Sequence, residues 1–136
     1  MMEENKRENI QAELEGAEKT LSEAELLFKN GFFNGAVSRL YYSLLYSMRA
    51  LLLTKGLEPK SHEGALRLFG LHFIKEGLFE TKASHIFSKM MKYREEADYN
   101  PAFLFTREDF IALRKEVGEL SKRIRSYLKE KDYLGK

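Results

Sequence analysis

The run from Asn34 to Lys55, NGAVSRLYYSLLYSMRALLLTK, limits what this chain can fold into more than any other stretch. Read as a helix of about 3.6 residues per turn, it sets Phe33, Val37, Leu40, Leu44 and Leu51 on one side and Tyr41, Leu45, Met48 and Leu52 on an adjoining one. Two apolar stripes require two packing partners, so this helix belongs at the centre of a helical assembly. Arg39, Tyr42, Tyr46 and Arg49 form a third set. Their spacing of three, four and three confines two guanidiniums and two phenols to about 80° of arc. Cations on so buried a helix are first candidates for function.

The remaining segments supply partners of the same kind. Ile10, Leu14, Ala17, Leu21, Ala24 and Phe28 recur at alternating spacings of four and three, a seam that packs along another helix. Asn30-Gly31 tolerates the left-handed conformation and stops this first helix, and the short link predicts an antiparallel hairpin with the central one. The central helix should end near Lys55-Gly56. After the turn Leu57 to Lys60, Ser61 can cap a shorter helix, roughly His62 to Lys75, with Leu66, Phe69 and Phe73 on one side. Gly77 ends that segment. Thr81 can cap a fourth helix to about Tyr99, with Ile86, Met90 and Tyr93 or Ala97 inside, before Asn100-Pro101 forces a break.

Thr106 followed by Asp109 is close to a capping box, and Phe110, Leu113, Val117, Leu120, Ile124 and Tyr127 carry a last helix to about Lys131. No segment alternates with period two over a useful length. The expected fold is all-α: an up-and-down helical bundle of four long helices plus one shorter helix, in a single domain over residues 1–136.

The totals narrow the chemistry. The chain has no cysteine, which excludes disulfides, thiolate zinc sites and a cysteine nucleophile. Lys and Arg number 23 against 21 Asp and Glu, so a net charge of +2 gives no global pull on nucleic acid, and a basic site must come from local clustering. No apolar run approaches the ~20 residues that span a bilayer, and residues 1–11 are charged, so a soluble cytoplasmic protein without membrane contact is expected. His62, His72 and His85 form neither an HxxxH pair nor a helical ExxH motif, so neither a metal nor another cofactor is expected. His62 is the most interesting of the three, because it opens a helix beside a turn where a phosphate could bind. Phosphate-loop, dinucleotide and nucleophile-elbow motifs are all missing. Glu13, Glu15, Glu18, Glu23 and Glu25 read as a solvating outer face.

One polar constellation remains, YREEADY from Tyr93 to Tyr99. Arg94 and Asp98 are four apart and face each other on a helix, an arrangement contributing a few tenths of a kcal/mol at a surface. Asp98 also lies near a helix C-terminus, where a carboxylate is unfavourable, and so calls for a specific partner.

The run SRLYYSLLYSMRALL, then KSHEGALRLFG, then REEADY before a break, resembles the small prokaryotic members of the HEPN domain family (higher eukaryotes and prokaryotes nucleotide-binding). The resemblance extends from about Leu21 to Tyr127. It implies a helical bundle, homodimers formed through the face carrying the arginine motif, and pairing with a minimal nucleotidyltransferase in toxin-antitoxin or defence systems. Many members are metal-independent RNases or toxins with an Arg, four to six intervening residues, then a His. Arg94 matches the motif arginine, which would contact phosphate. The histidine does not carry over, since its place falls on Tyr99, Asn100 or Pro101.

An ordinary tyrosine, with a pKa of about 10, is a poor base at neutral pH. His85 is nine positions from Arg94 and faces the other way; His62 or a second protomer could still approach. The resulting expectation is nucleotide or RNA binding rather than cleavage. Arg39, Tyr42, Tyr46 and Arg49 would face Arg94 and Asp98 across a groove, Asp98 pairing one of the arginines. The alternatives are an RNase using Arg94 with His62 or Tyr99, and a non-catalytic adaptor whose arginines are internal ion-pair partners.

Overall fold

The protein is described by a computed structural model covering residues 2–134. Its elements are α1 (Met2–Lys29), α2 (Phe33–Leu53), α3 (His62–Phe69) continued by a π-helical turn (Gly70–Ile74), α4 (Thr81–Tyr99) and α5 (Arg107–Glu130). Four long helices and one short one thus form an all-α bundle, and among the described residues there is no strand.

α2 is the axis: 13 of its 21 residues are buried, so nearly every face meets another helix. It packs most extensively against α1, and then against α4 and α5. Gly31, at φ 81°, closes the link to α1. Phe32 N–H donates to Leu27 O at 2.9 Å and Gly31 N–H to Phe28 O at 3.1 Å, a left-handed stop that turns the chain straight back. The seam between the hairpin helices is close. The Tyr46 ring lies where a side chain on Gly16 would stand, and Ser43 Oγ donates to Ala17 O at 2.8 Å.

The ends of the later helices follow local chemistry. Ser61 Oγ accepts from Gly64 N–H at 2.9 Å and opens α3. Thr106 and Asp109 complete a reciprocal capping box for α5. Thr81 does not cap α4: Glu80 holds that place without a side-chain bond, and Thr81 is already helical. The third helix widens at Gly70 instead of running on as one α-helix, and its π turn delivers Phe73 to a cluster with Phe69, Phe79 and Tyr127.

The acidic residues of α1 do more than solvate it. Glu13 pairs with Arg49, Glu23 with Arg39, Glu25 with Arg114 and Glu18 with Arg125, at 3.0–3.3 Å. These long side chains lie at the edges of the apolar seam, where they reach cations on α2 and α5. Asn34, just inside α2, donates from its amide to Phe103 O at 2.7 Å and accepts from Phe105 N–H at 2.9 Å. It fastens the α4–α5 loop to the α1–α2 turn, beside the end of α4 that carries the YREEADY run.

Candidate functional site

Arg94 owes its position to the packing stripe of α4. Ala83, Phe87 and Met90 are buried at spacings of four and three, and Arg94 follows four residues later on the same line. A position that would extend the core therefore inserts a guanidinium between α2 and α3, and its side chain is only 11% exposed.

The partners gathered there come from three helices. Arg94 Nη2 lies 3.1 Å from His62 Nδ1, across 32 residues of sequence. Nη1 lies 3.9 Å from Asp98 Oδ2, a long contact for an ion pair. The guanidinium carbon sits 5.6, 5.8 and 5.9 Å from the ring centres of Tyr41, Tyr42 and Tyr99, within cation–π range of all three. Two buried polar atoms of this group find no hydrogen-bond partner among the described residues: Arg94 Nε and the Tyr41 hydroxyl. A third such atom, Glu13 Oε1, lies on α1.

The charges fix the state of the histidine. A guanidinium stays protonated and can only donate, so His62 Nδ1 must present its lone pair and the neutral ring carries its proton on Nε2. Burial, then the nearby Arg94 charge, hold the imidazole below its ordinary range, against the opposing pull of Glu63 and Glu95. His62 also packs on Tyr41 and Tyr42, with ring centres 5.4 and 6.1 Å away. Burial pushes the Tyr41 phenol far above its usual range despite Arg94 beside it, so it remains neutral.

The structure therefore brings Arg94, Asp98, His62, Tyr42 and Tyr99 together and adds Tyr41. Arg39 reaches the edge of this group, with its guanidinium 5.1 Å from the Tyr42 ring centre, but its ion pair is with Glu23. Tyr46 and Arg49 stand apart, on Gly16 and Glu13 of α1. The 80° arc straddles the boundary between two packing partners, so half of it serves the hairpin and only Tyr42 looks fully toward α3 and α4. Asp98 pairs with its own-helix neighbour Arg94, not with Arg39 or Arg49. His85 is exposed on α4, away from the group. The signal for Tyr41 was present in the sequence as a tyrosine on a core stripe, a place where a hydroxyl needs a partner.

A roomy concavity lies elsewhere. A groove of about 700 Å³ runs between α1 and α5, floored by Phe28, Leu26 and Ile111, and its polar groups Arg114 and Glu25 bond to each other. It is apolar and open, without a group held ready for chemistry. Volume and chemistry point to different places here, and the charged cluster on α4 has the better claim because it contains the loosely paired cation. Among the described residues no three His, Asp or Glu side chains converge as metal ligands, and no helix is long and apolar enough to cross a membrane.

Comparison with known proteins adds an independent line. The model of the HEPN domain matches residues 10–128. A Methanocaldococcus jannaschii protein named "Putative toxin MJ0605" is 47% identical over 93 residues, covering 68% of this chain and 69% of its own. A second protein of that organism, "Putative toxin MJ0142", is 36% identical over 109 residues, covering 80% and 74%. A Thermotoga maritima UPF0332 protein is 37% identical over 93 residues, covering 68% and 70%.

Proposed function

The chain belongs to the HEPN domain family, and from that premise we propose that it is a toxin-like protein that binds RNA at Arg94, held in check by a minimal nucleotidyltransferase partner. The observation that carries this reading is the unequal treatment of the arginines. Arg39, Arg49, Arg114 and Arg125 each meet a carboxylate at 3.0–3.3 Å. Arg94, more buried than any of these, meets a single carboxylate among the described residues, Asp98 at 3.9 Å, and its Nε finds no partner among them. A desolvated cation so loosely compensated attracts an anion strongly. In this reading Arg94 takes a phosphate oxygen, Asp98 sets the tilt of its fork, and Tyr42 and the exposed Tyr99 offer faces to neighbouring bases. Arg39 adds charge at the rim, while Tyr46 and Arg49 hold the hairpin. A homodimer would form over this end, where Tyr99 and Leu104 are each 75% exposed.

Binding is tested with a fluorescent single-stranded oligoribonucleotide across a salt series. Arg94→Met is expected to weaken association at least tenfold with the fold intact, and Arg49→Ala to leave it unchanged. Wild-type affinity in Arg94→Met would refute the assignment. Recovery of the protein from its own source without a stoichiometric nucleotidyltransferase would count against the partner.

One observation favours a second reading, metal-independent RNA cleavage. His62, though on α3, stands within 3.1 Å of the motif arginine and is neutral. The ribose 2′-oxygen would attack phosphorus as its proton passes to His62, and the P–O5′ bond would break as the imidazolium returns that proton to the 5′-oxygen. Cleavage in the presence of chelator, lost in His62→Ala, is expected from this reading. Intact RNA at high protein concentration would dismiss it.

A further inference from the structure

Resting on the reading of Arg94 as a phosphate ligand, we propose that the Arg94–His62 hydrogen bond is a latch: phosphate releases it, and release lets His62 take up a proton. The geometry forces the exclusion. With Nδ1 accepting from Arg94 Nη2 at 3.1 Å, His62 has no free lone pair, so it can neither take a proton from a substrate nor donate from that nitrogen. Protonating Nδ1 in place would set two cationic donors head to head at the same distance. The bond must break before His62 becomes an imidazolium, and something must replace Nδ1 as the acceptor for Arg94. A phosphate oxygen does both: it accepts from Nη2, and its charge draws a proton onto the freed ring.

The surroundings bias the two states without fixing either. From α3, Glu63 adjoins His62; from α4, Arg94 and Glu95 face it, with Asp98 behind Arg94. From α2 come the Tyr41 and Tyr42 rings, with Arg39 over the latter. Arg94 and burial favour the neutral ring, and the two glutamates favour the imidazolium. Freeing Arg94 removes one of the two influences that keep the ring neutral, and an incoming anion adds to the opposing side. Asp98, 3.9 Å from Nη1, gives the guanidinium a pivot for a turn on its own helix.

The linkage has a definite sign. The imidazole pKa is higher in the phosphate-bound state than in the free state. Affinity is therefore flat above the bound-state pKa, rises as pH falls toward the free-state pKa, and is flat again below it. The same coupling keeps the acid-base group idle until the cation that positions a substrate is occupied.

The test follows the His62 ring by NMR through a pH titration, with inorganic phosphate and with an uncleavable 2′-O-methyl oligonucleotide as probes. In the ligand-free protein the ring should show the tautomer protonated on Nε2, and Arg94→Met should raise its pKa. Either probe should raise the wild-type pKa by about one unit, and oligonucleotide affinity should grow about threefold to fivefold from pH 8 to pH 6, short of the roughly tenfold limit that such a shift sets well below the free-state pKa. His62→Gln, which still offers Arg94 an oxygen, should bind at pH 8 and lose that pH dependence. A His62 pKa unmoved by Arg94→Met, or equal pH slopes in wild type and His62→Gln, would overturn the latch. Failure of the oligonucleotide to bind at any pH would remove the RNA reading, while the latch would still be judged on ligand-free Arg94→Met and on phosphate.

Discussion

Tyr41→Phe should stabilise this protein. Tyr41 is fully buried, its ring is nearly parallel to Phe87 with centres 6.0 Å apart, and Arg94 lies 5.6 Å from its centre. Phenylalanine keeps the volume, the stack and the cation–π face, so the substitution removes one atom group only. That group is a hydroxyl without a partner among the described residues, and an unsatisfied buried polar group costs about 1–3 kcal/mol. Deleting it should return about 1 kcal/mol, or about 4 °C in Tm for a chain of this size. Ionisation does not enter, because burial keeps the phenol neutral throughout the accessible pH range. Urea unfolding and a thermal melt measure the change directly. If the hydroxyl instead makes a hydrogen bond, its loss should destabilise by about 1 kcal/mol, and a Tm drop of that size would refute the reasoning. The functional corollary is opposite in sign. If phosphate binding at Arg94 opens the site enough for this hydroxyl to reach the anion, Tyr41→Phe should bind RNA more weakly while melting higher.

Two further substitutions probe the frame around the site. Asn34→Ala removes both bonds that hold the 103–105 segment and should cost about 1–2 kcal/mol, with faster hydrogen exchange at the Phe105 amide; unchanged exchange would mean that the loop is held by its aromatic contacts. Glu13→Gln tests a carboxylate whose pKa burial, helped by the nearby Glu58 charge, raises against the pull of Arg49. A folded-state pKa above the unfolded one means that the charged form is disfavoured by folding, so stability falls as pH rises from about 4.5 through the folded value. Glu13→Gln should therefore raise Tm at pH 7 and lose its advantage near pH 4, and an equal effect at both pH values would refute the desolvation account.

The helices were legible because their signals are local. The capping box at Thr106 and Asp109, the seam from Ile10 to Phe28 and the left-handed stop at Gly31 each lie within a few residues of the feature they produce. The site was legible only in part. Arg94 stood out through its motif, but the stripe expected to face inward was Ile86, Met90 and Tyr93 or Ala97, and the burial of Phe87, which carries the line on to Arg94, came from the structure. A helical wheel gives an arc but not the partner that each edge of the arc meets, which is why Tyr46 and Arg49 went to α1 while Tyr42 went to α3 and α4. The turn through Pro59 was legible, but the meeting of His62 with Arg94 depends on the angle at which α3 returns after it, which has no local signature. Asn34 carries no local signal of its role, which rests on a loop some 70 positions away.

The adaptor and ligand-binding readings part over one question, whether Arg94 is there for the fold. A cation retained for packing would be expected to resemble Arg39, Arg49, Arg114 and Arg125, half-exposed and matched at close range, where water and a carboxylate share the work. Arg94 has neither advantage, being desolvated and paired at 3.9 Å. Methionine at that position would extend the Phe87–Met90 stripe without a charge to bury, and such replacements are commonly neutral or stabilising. An internal-strut role therefore predicts a lower melting temperature for Arg94→Met, and a ligand-binding role predicts an equal or higher one together with lost affinity. The loose contact to Asp98, the bond to a histidine that must stay neutral, and three tyrosine faces around one guanidinium fit the second outcome, because each leaves Arg94 free to exchange a weak internal partner for a stronger external one.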